Sequence, residues 1–208
     1  MKKTLLIALA ICLIVSVFQI VLAQKTDEKK CSPDLQKCET RKMEPTAKVT
    51  MVEPFYYAAL EMTGSFDQHG EAFNTLYGMA GKLMLDMSQP SFGVYYSDPE
   101  STPEAELKWE LGLPVSENQK LEEPLKLKKW EFKLLATKIH NGSFSSEAMQ
   151  GSYSALFQWI TENQYAPAGP MMEKYLGPPT MNEKGEWCGE VEILMPVQKI
   201  MEEPASAE

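Results

Sequence analysis

The chain has 208 residues, a formal net charge of −9 and 44% hydrophobic residues. This length and composition suit one globular domain with a sizeable core. The acidic sequence contains no basic run, so it lacks the electrostatic footprint of a nucleic-acid-binding protein, and we expect no nucleic-acid partner.

Residues 1–23 are typical of an export signal. Lys2 and Lys3 precede an apolar run over residues 5–22, and a small-residue cleavage site precedes Gln24. The run approaches the roughly 20 residues needed to span a bilayer, so an uncleaved N-terminal anchor is the alternative. Either reading predicts an exported domain, periplasmic or extracellular, that touches a membrane only through this segment if it is uncleaved.

A polar linker is expected over residues 24–46. Cys31 and Cys38 lie within it and can close a small disulfide loop, while the alternative is a disordered segment whose thiols pair only occasionally. Cys188 lies near a closing strand and is predicted as buried packing rather than as a nucleophile. The two histidines are isolated in sequence, and we expect neither a metal site nor a cofactor.

Beyond the linker, alternating apolar and polar residues predict seven strands with two helices between them. The strands are expected at residues 48–53, 56–63, 92–96, 106–113, 130–139, 171–175 and 191–195. The helices have apolar stripes at Phe73, Leu76, Tyr77 and Ala80 and at Tyr153, Leu156, Phe157 and Ile160. A shift of 80 residues (153 − 73) superimposes the two stripes, and both are expected to face a sheet. Ser145 or Ser146, followed by Glu147, is expected to start the second helix.

The helices belong to a longer internal repeat. Three landmarks recur at offsets between 78 (142 − 64) and 82 (196 − 114) residues. They are the Gly-Ser-Phe turns at Gly64 and Gly142, the tyrosines Tyr96 and Tyr175, and the Pro-Val strand ends at Pro114 and Pro196. We therefore predict one pseudo-symmetric domain over residues 47–200, with repeats at about 47–115 and 125–199. A linker over 116–124 separates the repeats, a tail follows at 201–208, and a cleft is expected where the repeats meet.

The order of elements in this sequence resembles that of a known family. A strand is followed by a Gly-Ser-Phe turn, a helix, a Tyr-x-Asp-Pro segment and a closing strand ending Trp-Glu-Leu-Gly-Leu-Pro-Val. The chain is similar to the GyrI-like small-molecule-binding domain, the effector-binding domain of AraC-type and related multidrug-responsive regulators, from about Ala47 to Lys199. The resemblance implies an α+β fold of two β-α-β-β repeats that form an antiparallel sheet, with both helices on one side and a ligand cleft on the other. It also implies bulky, often aromatic or cationic ligands, and some such relatives hydrolyse cyclopropane-bearing compounds. The regulators' helix-turn-helix has no counterpart in this sequence, so no transcriptional role is implied.

Two glutamates are candidates for the cleft. Strand alternation groups Trp109, Leu111 and Leu113 on the face that packs on a helix, which leaves Glu110 toward the cleft. Glu192 stands four residues before a proline, as Glu110 does, and is therefore its predicted counterpart. A cleft glutamate in an apolar wall is also what the resemblance implies. The alternative is that both glutamates are solvated on an open sheet face.

Aromatic residues are the second component of such a cleft. We select Tyr57, Tyr96, Tyr175 and Trp187 as ligand-binding candidates because their rings and polar tips can orient an organic molecule. Beside such rings a desolvated carboxylate can bind a cation by charge and ring face, or can act as a general base.

Three functions remain open from the sequence. The first is an exported protein that senses or sequesters a bulky aromatic or cationic organic ligand. The second is a hydrolase of strained, cyclopropane-bearing compounds with Glu192 as its catalytic residue. The third is a protein-interaction module whose cleft is closed by side chains. The sequence contains neither a Gly-x-Ser-x-Gly elbow nor a Gly-rich phosphate loop, which argues against serine hydrolases and nucleotide enzymes.

Overall fold

The computed structural model describes residues 47–200. The predicted export signal, the polar linker with its Cys31–Cys38 disulfide, and the tail over 201–208 all lie outside these residues. Within them, none of the helices is long and apolar enough to span a membrane.

Residues 47–200 form ten strands and two α-helices. In chain order these are β1 (Lys48–Met51), β2 (Phe55–Thr63), α1 (His69–Lys82), β3 (Phe92–Tyr95), β4 (Lys108–Val115), β5 (Lys126–Trp130), β6 (Leu134–Ser143), α2 (Ser146–Glu162), β7 (Tyr165–Pro167), β8 (Met171–Tyr175), β9 (Thr180–Met181) and β10 (Trp187–Lys199). The strands pair antiparallel in the order β1-β6-β10-β8-β3-β4-β2-β5, with β7 and β9 on β10. The predicted α+β fold is confirmed.

The strand predicted over 130–139 needs correction. It is two strands, because β5 ends at Trp130 and β6 begins at Leu134. These strands lie near opposite ends of the sheet. The alternating pattern over 130–139 therefore includes the connection between two strands. The strand predicted over 191–195 is longer than expected, and the short strands β7 and β9 were not predicted.

Two short linkers require the sheet to curve strongly. Residues 52–54 join β1 to β2, and residues 131–133 join β5 to β6, yet each pair of strands is six positions apart in the sheet. Six inter-strand spacings in a flat sheet measure about 29 Å, whereas four backbone steps reach at most about 15 Å. The sheet therefore curls, and Val52 and Phe132 of the linkers pack over its inner face.

The inner face carries a core of its own. Its buried residues are Tyr57, Ala59, Phe92, Val94, Trp130, Leu135, Met172 and Leu194. None of them belongs to a helix, so this core lies on the face opposite α1 and α2. The predicted side for the cleft is thus the inner face of a curled sheet.

The two helices pack on the outer face, as predicted. Leu76 of α1 belongs to one buried cluster with Leu111 of β4, and Leu156 of α2 to another with Ile193 of β10, all four of them almost fully buried. Each helix covers its own half of the sheet. The helix start predicted at Ser145 or Ser146 is confirmed at Ser145, whose hydroxyl accepts a hydrogen bond from the Ala148 N–H.

The repeated Gly-Ser-Phe turns have a backbone cause. Gly64 has a φ of 103° and Gly142 a φ of 155°, a region that side chains with a Cβ rarely adopt. The two glycines therefore turn the chain from a strand toward a helix at corresponding places in the two repeats.

Candidate functional site

A buried carboxylate lies at the centre of the sheet, on the face that carries the helices. Glu173 belongs to β8, and its register partners are Gly93 of β3 and Ile193 of β10. It is 7% exposed. A charged group in this position needs partners, because an unpaired buried charge is costly.

Tyrosine hydroxyls supply those partners. Tyr95 donates to Glu173 Oε2 at 3.0 Å, Tyr175 donates to the same oxygen at 3.2 Å, and Tyr153 donates to Oε1 from α2. The Tyr95 and Tyr175 hydroxyls also lie 3.0 Å apart. Burial, and then the charge of Glu173, raises the pKa of all three tyrosines, so that they remain protonated donors.

Glu173 takes part in none of the ion pairs described within residues 47–200. The hydrogen bonds described for Glu173 come from neutral hydroxyl donors. This arrangement leaves the carboxylate able to interact with an external cation.

Side chains from both helices lie around this carboxylate, since Tyr153 of α2 contacts Glu173 and Phe73 of α1 contacts Tyr175. We define the interhelical groove by Phe73 of α1, Tyr153 of α2, and Tyr95, Glu173 and Tyr175 of the central strands. The Phe73 ring meets the Tyr175 ring edge-on, with centroids 5.3 Å apart. Tyr77 and Phe157 hold corresponding positions on the two helices and are 39% and 40% exposed. The interhelical groove thus combines exposed aromatic side chains with one buried carboxylate.

His69 extends the hydrogen-bond network. Its Nδ1 lies against the Phe66 carbonyl oxygen and its Nε2 lies 3.0 Å from the Tyr95 hydroxyl. Burial lowers the pKa of His69, which favours the neutral ring. The carbonyl can only accept, so Nδ1 carries the proton, and the unprotonated Nε2 lies beside the Tyr95 hydroxyl, whose single proton is donated to Glu173. His69 therefore lies in contact with a tyrosine that donates to Glu173.

A second buried carboxylate lies on the inner face. Glu110 is fully buried, and the hydroxyls of Tyr57 and Tyr96 donate to its Oε1 at 2.6 and 2.8 Å. Lys128 of β5 donates to Oε2 at 2.5 Å and also pairs with Glu61 at 2.6 Å. We call these five residues the Glu110 cluster. Burial, and then Glu110, raises the pKa of Tyr96 to about 12.

The sequence-predicted residues therefore divide between two faces. Tyr57, Tyr96 and Glu110 come together in the Glu110 cluster, as one wall of the predicted site. Tyr175 lies on the other face, beside Glu173. Trp187 is six residues along β10 from Ile193, about 20 Å away at the rise of a strand, so it reaches neither carboxylate.

Glu192 holds the predicted position but lacks the predicted surroundings. It pairs with Lys174 of β8 as Glu110 pairs with Val94 of β3, which agrees with the expected repeat. However, Glu192 makes no side-chain hydrogen bond or ion pair within residues 47–200. Within these residues Glu192 lacks the tyrosine partners of Glu110, and its catalytic role stays a prediction.

Sequence reasoning missed Glu173, Tyr95 and Tyr153. The cause is an offset of one residue: Tyr96 was matched with Tyr175, whereas Tyr95 is the residue that shares a face and a hydrogen bond with Tyr175. A slip of one residue moves a strand side chain to the opposite face. The offset of 80 between the helical stripes, applied to the strands, gives the correct pairing.

Comparisons with known proteins agree with this fold. The structure resembles the EcmrR C-terminal domain with a TM-score of 0.61 and 19% identity, over 74% of this chain and 98% of that domain. In an EcmrR–DNA complex the TM-score is 0.61 at 20% identity, over 74% of this chain and 57% of that one. A hydrolase from Listeria innocua matches with a TM-score of 0.58 and 14% identity, over 74% of this chain and 93% of that one. At such identities these likenesses establish the fold alone.

No curated protein matches the sequence significantly. The sequence profile of the GyrI-like small-molecule-binding domain matches residues 45–198. That range contains both repeats, both helices and both buried carboxylates. The chain therefore belongs to the family of GyrI-like small-molecule-binding domains.

Proposed function

We propose that this protein binds a bulky aromatic cation in the interhelical groove, with Glu173 as the counter-charge. The single observation that carries the proposal is the Glu173 carboxylate, which is buried, accepts hydrogen bonds from three tyrosine hydroxyls and takes part in none of the ion pairs described within residues 47–200. A ligand cation would complete the charge balance of the site.

The walls of the groove support an aromatic or bulky apolar ligand. Phe73 and Tyr175 present perpendicular rings, and Tyr77 and Phe157 add exposed aromatic surface. The face of an aromatic ring attracts a cation, and ring edges and faces also pack well against other rings. A ligand with both features uses the carboxylate and the rings together.

The biological role that we propose is sequestration or sensing of such a ligand outside the cytoplasm. The support for export is the basic and apolar N-terminal sequence, with cleavage before Gln24 or retention as an anchor. The acidic character of the chain also favours the approach of cations.

The direct test is a calorimetric titration of the purified protein with benzyltrimethylammonium and with neopentylbenzene, its neutral carbon analogue. We expect saturable binding of the cation and much weaker binding of the analogue. In Glu173→Gln the hydroxyl contacts are kept and the charge is removed, so cation affinity should fall by about 10- to 100-fold, as for a charged hydrogen bond worth about 1.5–3 kcal/mol.

The matched control is Glu192→Gln, which removes the same charge on the opposite face of the sheet. It should leave affinity within about twofold, because it lies outside the groove. Equal losses in both variants would show that net charge, and not the groove, attracts the ligand.

A second candidate function is hydrolysis in the same groove. The observation that favours it is the chain of contacts from His69 through Tyr95 to Glu173, which places a carboxylate and a hydroxyl proton donor side by side. Incubation with cyclopropane-bearing and ester compounds, followed by mass spectrometry, tests it. A product that gains the mass of one water, formed by the natural chain and not by Glu173→Gln, would establish turnover.

A further inference from the structure

The Glu110 cluster repeats the chemistry of the interhelical groove on the inner face of the sheet. In both places a buried carboxylate accepts hydrogen bonds from tyrosine hydroxyls: Tyr57 and Tyr96 for Glu110, and three tyrosines for Glu173. The difference is a cation. Lys128 Nζ lies 2.5 Å from Glu110 Oε2 and 5.9 Å from the centre of the Tyr96 ring. The lysine side chain is thus an organic ammonium held by a carboxylate and an aromatic face.

Lys128 has a second partner that keeps it bound if it leaves Glu110. Its Nζ also lies 2.6 Å from Glu61 Oε1, and the Glu61 side chain is 44% exposed. Glu110, by contrast, has a side chain that is 1% exposed and has Lys128 as its cation within residues 47–200. An exchange in which another cation replaces Lys128 therefore leaves no buried charge unpaired.

The route to this carboxylate passes through partly exposed side chains. The Lys128 side chain is 30% exposed, and Tyr96 is 49% exposed. An incoming ammonium can therefore approach Glu110 along the path that the lysine stem now follows.

A buried donor lies on the same wall. Trp130 follows Lys128 by two residues on β5, so both side chains lie on one face of the strand. Its indole N–H has no hydrogen-bond acceptor within the described part of the chain. An oxygen acceptor on a ligand would satisfy this indole N–H.

We propose that the Glu110 cluster is a second cation-binding site, distinct from the interhelical groove, which Lys128 occupies in the unliganded protein and from which a primary organic ammonium displaces it. A primary ammonium fits best because it offers three N–H donors, as lysine does, to the two carboxylates and the tyrosines.

The first test is chemical rescue of Lys128→Ala in the full-length protein. This variant removes three carbons and the ammonium, which together equal propylammonium. We expect Lys128→Ala to lower Tm, and propylammonium to restore it saturably, with a rise of at least about 5 °C at roughly 100-fold excess over Kd. Propan-1-ol and sodium chloride at equal concentrations are the controls. Equal effects of all three additives would overturn the proposal.

The second test keeps Lys128 and so decides the case in which Lys128→Ala does not fold. Glu173→Gln protein, whose groove charge is removed, is titrated with benzylammonium while Tm is followed. The proposal requires a saturable rise in Tm that disappears when Glu110→Gln is added. In that double variant Lys128 keeps its bond to Glu61, so folding is maintained. No saturable rise, or the same rise in both proteins, contradicts a site at Glu110.

Discussion

Gly93 and Glu173 are counterparts in the repeat and are also register partners across its symmetry axis. They are 80 residues apart (173 − 93), as are Tyr95 and Tyr175, and β3 and β8 place them directly opposite each other. The pseudo-two-fold axis thus passes between a glycine and a glutamate. One carboxylate is left at the centre, beneath a pair of symmetry-related tyrosine hydroxyls.

The first prediction concerns the space above Gly93. A Cβ at this position would lie 2.8 Å from the Tyr95 hydroxyl oxygen and 3.2 Å from that of Tyr175. Gly93→Ala should displace both hydroxyls from Glu173, destabilise the fold by about 1–3 kcal/mol, as overpacking does, and weaken cation binding at least about tenfold. Urea unfolding and calorimetric titration measure the two effects.

The control for Gly93→Ala is Gly151→Ala in α2, where an added Cβ meets nothing within 4 Å. It should increase stability by about 0.5–1 kcal/mol, because alanine favours the helix, and leave binding unchanged. Unchanged affinity in Gly93→Ala would contradict the role of this glycine.

The second prediction concerns the hydroxyl that α2 contributes. Tyr153→Phe leaves Glu173 Oε1 without its donor while keeping the ring, so we expect a loss of about 1–3 kcal/mol in the free energy of unfolding. Tyr165→Phe is the matched control, since the Tyr165 hydroxyl makes no hydrogen bond inside the 47–200 range. Equal stabilities of the two variants by thermal unfolding would argue against the predicted network.

The third prediction is acid sensitivity at the edge of the sheet. Hydrogen bonds from Lys126 and then Lys128 lower the pKa of Glu61 from 4.5 to about 2. A lowered folded-state pKa contributes stability that is present above about pH 4.5 and is lost as the pH falls toward 2. Because the pair is largely exposed, its contribution should stay below about 1 kcal/mol.

Glu61→Gln tests this directly. The free energy of unfolding of Glu61→Gln should change less between pH 4.5 and 2 than that of the natural chain. Above pH 5, about one half-unit above the ordinary pKa of 4.5, the two proteins should show nearly the same dependence on pH. Parallel pH profiles throughout would contradict the assignment.

The fourth prediction is alkaline unfolding driven by the groove. Burial and Glu173 raise the pKa of Tyr95 and Tyr175 well above 10.0. A raised folded-state pKa contributes stability that is present below pH 10.0 and is lost as the pH rises above it, by up to about 1.4 kcal/mol per pH unit for each tyrosine. Near-ultraviolet absorbance should show these two tyrosines ionising only with unfolding. Tyr96→Phe, which keeps Tyr95 and Tyr175, is compared with Tyr95→Phe. A tyrosinate signal that precedes the change in circular dichroism in the first variant and is absent from the second would contradict this prediction.

The sequence determined the repeat, the helices and most of the strands. Periodicity suffices for these because Leu76 and Leu156 lie on stripes with helical spacing, and the turns at Gly64 and Gly142 need a backbone that glycine adopts. The sequence also allowed Tyr57 and Glu110 to be assigned to the cleft side, since alternation along each strand assigns every residue a face.

Only the tertiary structure decided which carboxylate carries the proposed site. Glu173 is ordinary in sequence, and its burial depends on strand order, on Gly93 across the axis and on Tyr153 from a helix. Likewise, Lys128 reaches Glu110 only because β5, which follows the linker over residues 116–124, pairs with β2. Local patterns assign a side chain to a face, but the partners on that face come from strands far apart in the chain, and their register fixes which charges are buried together.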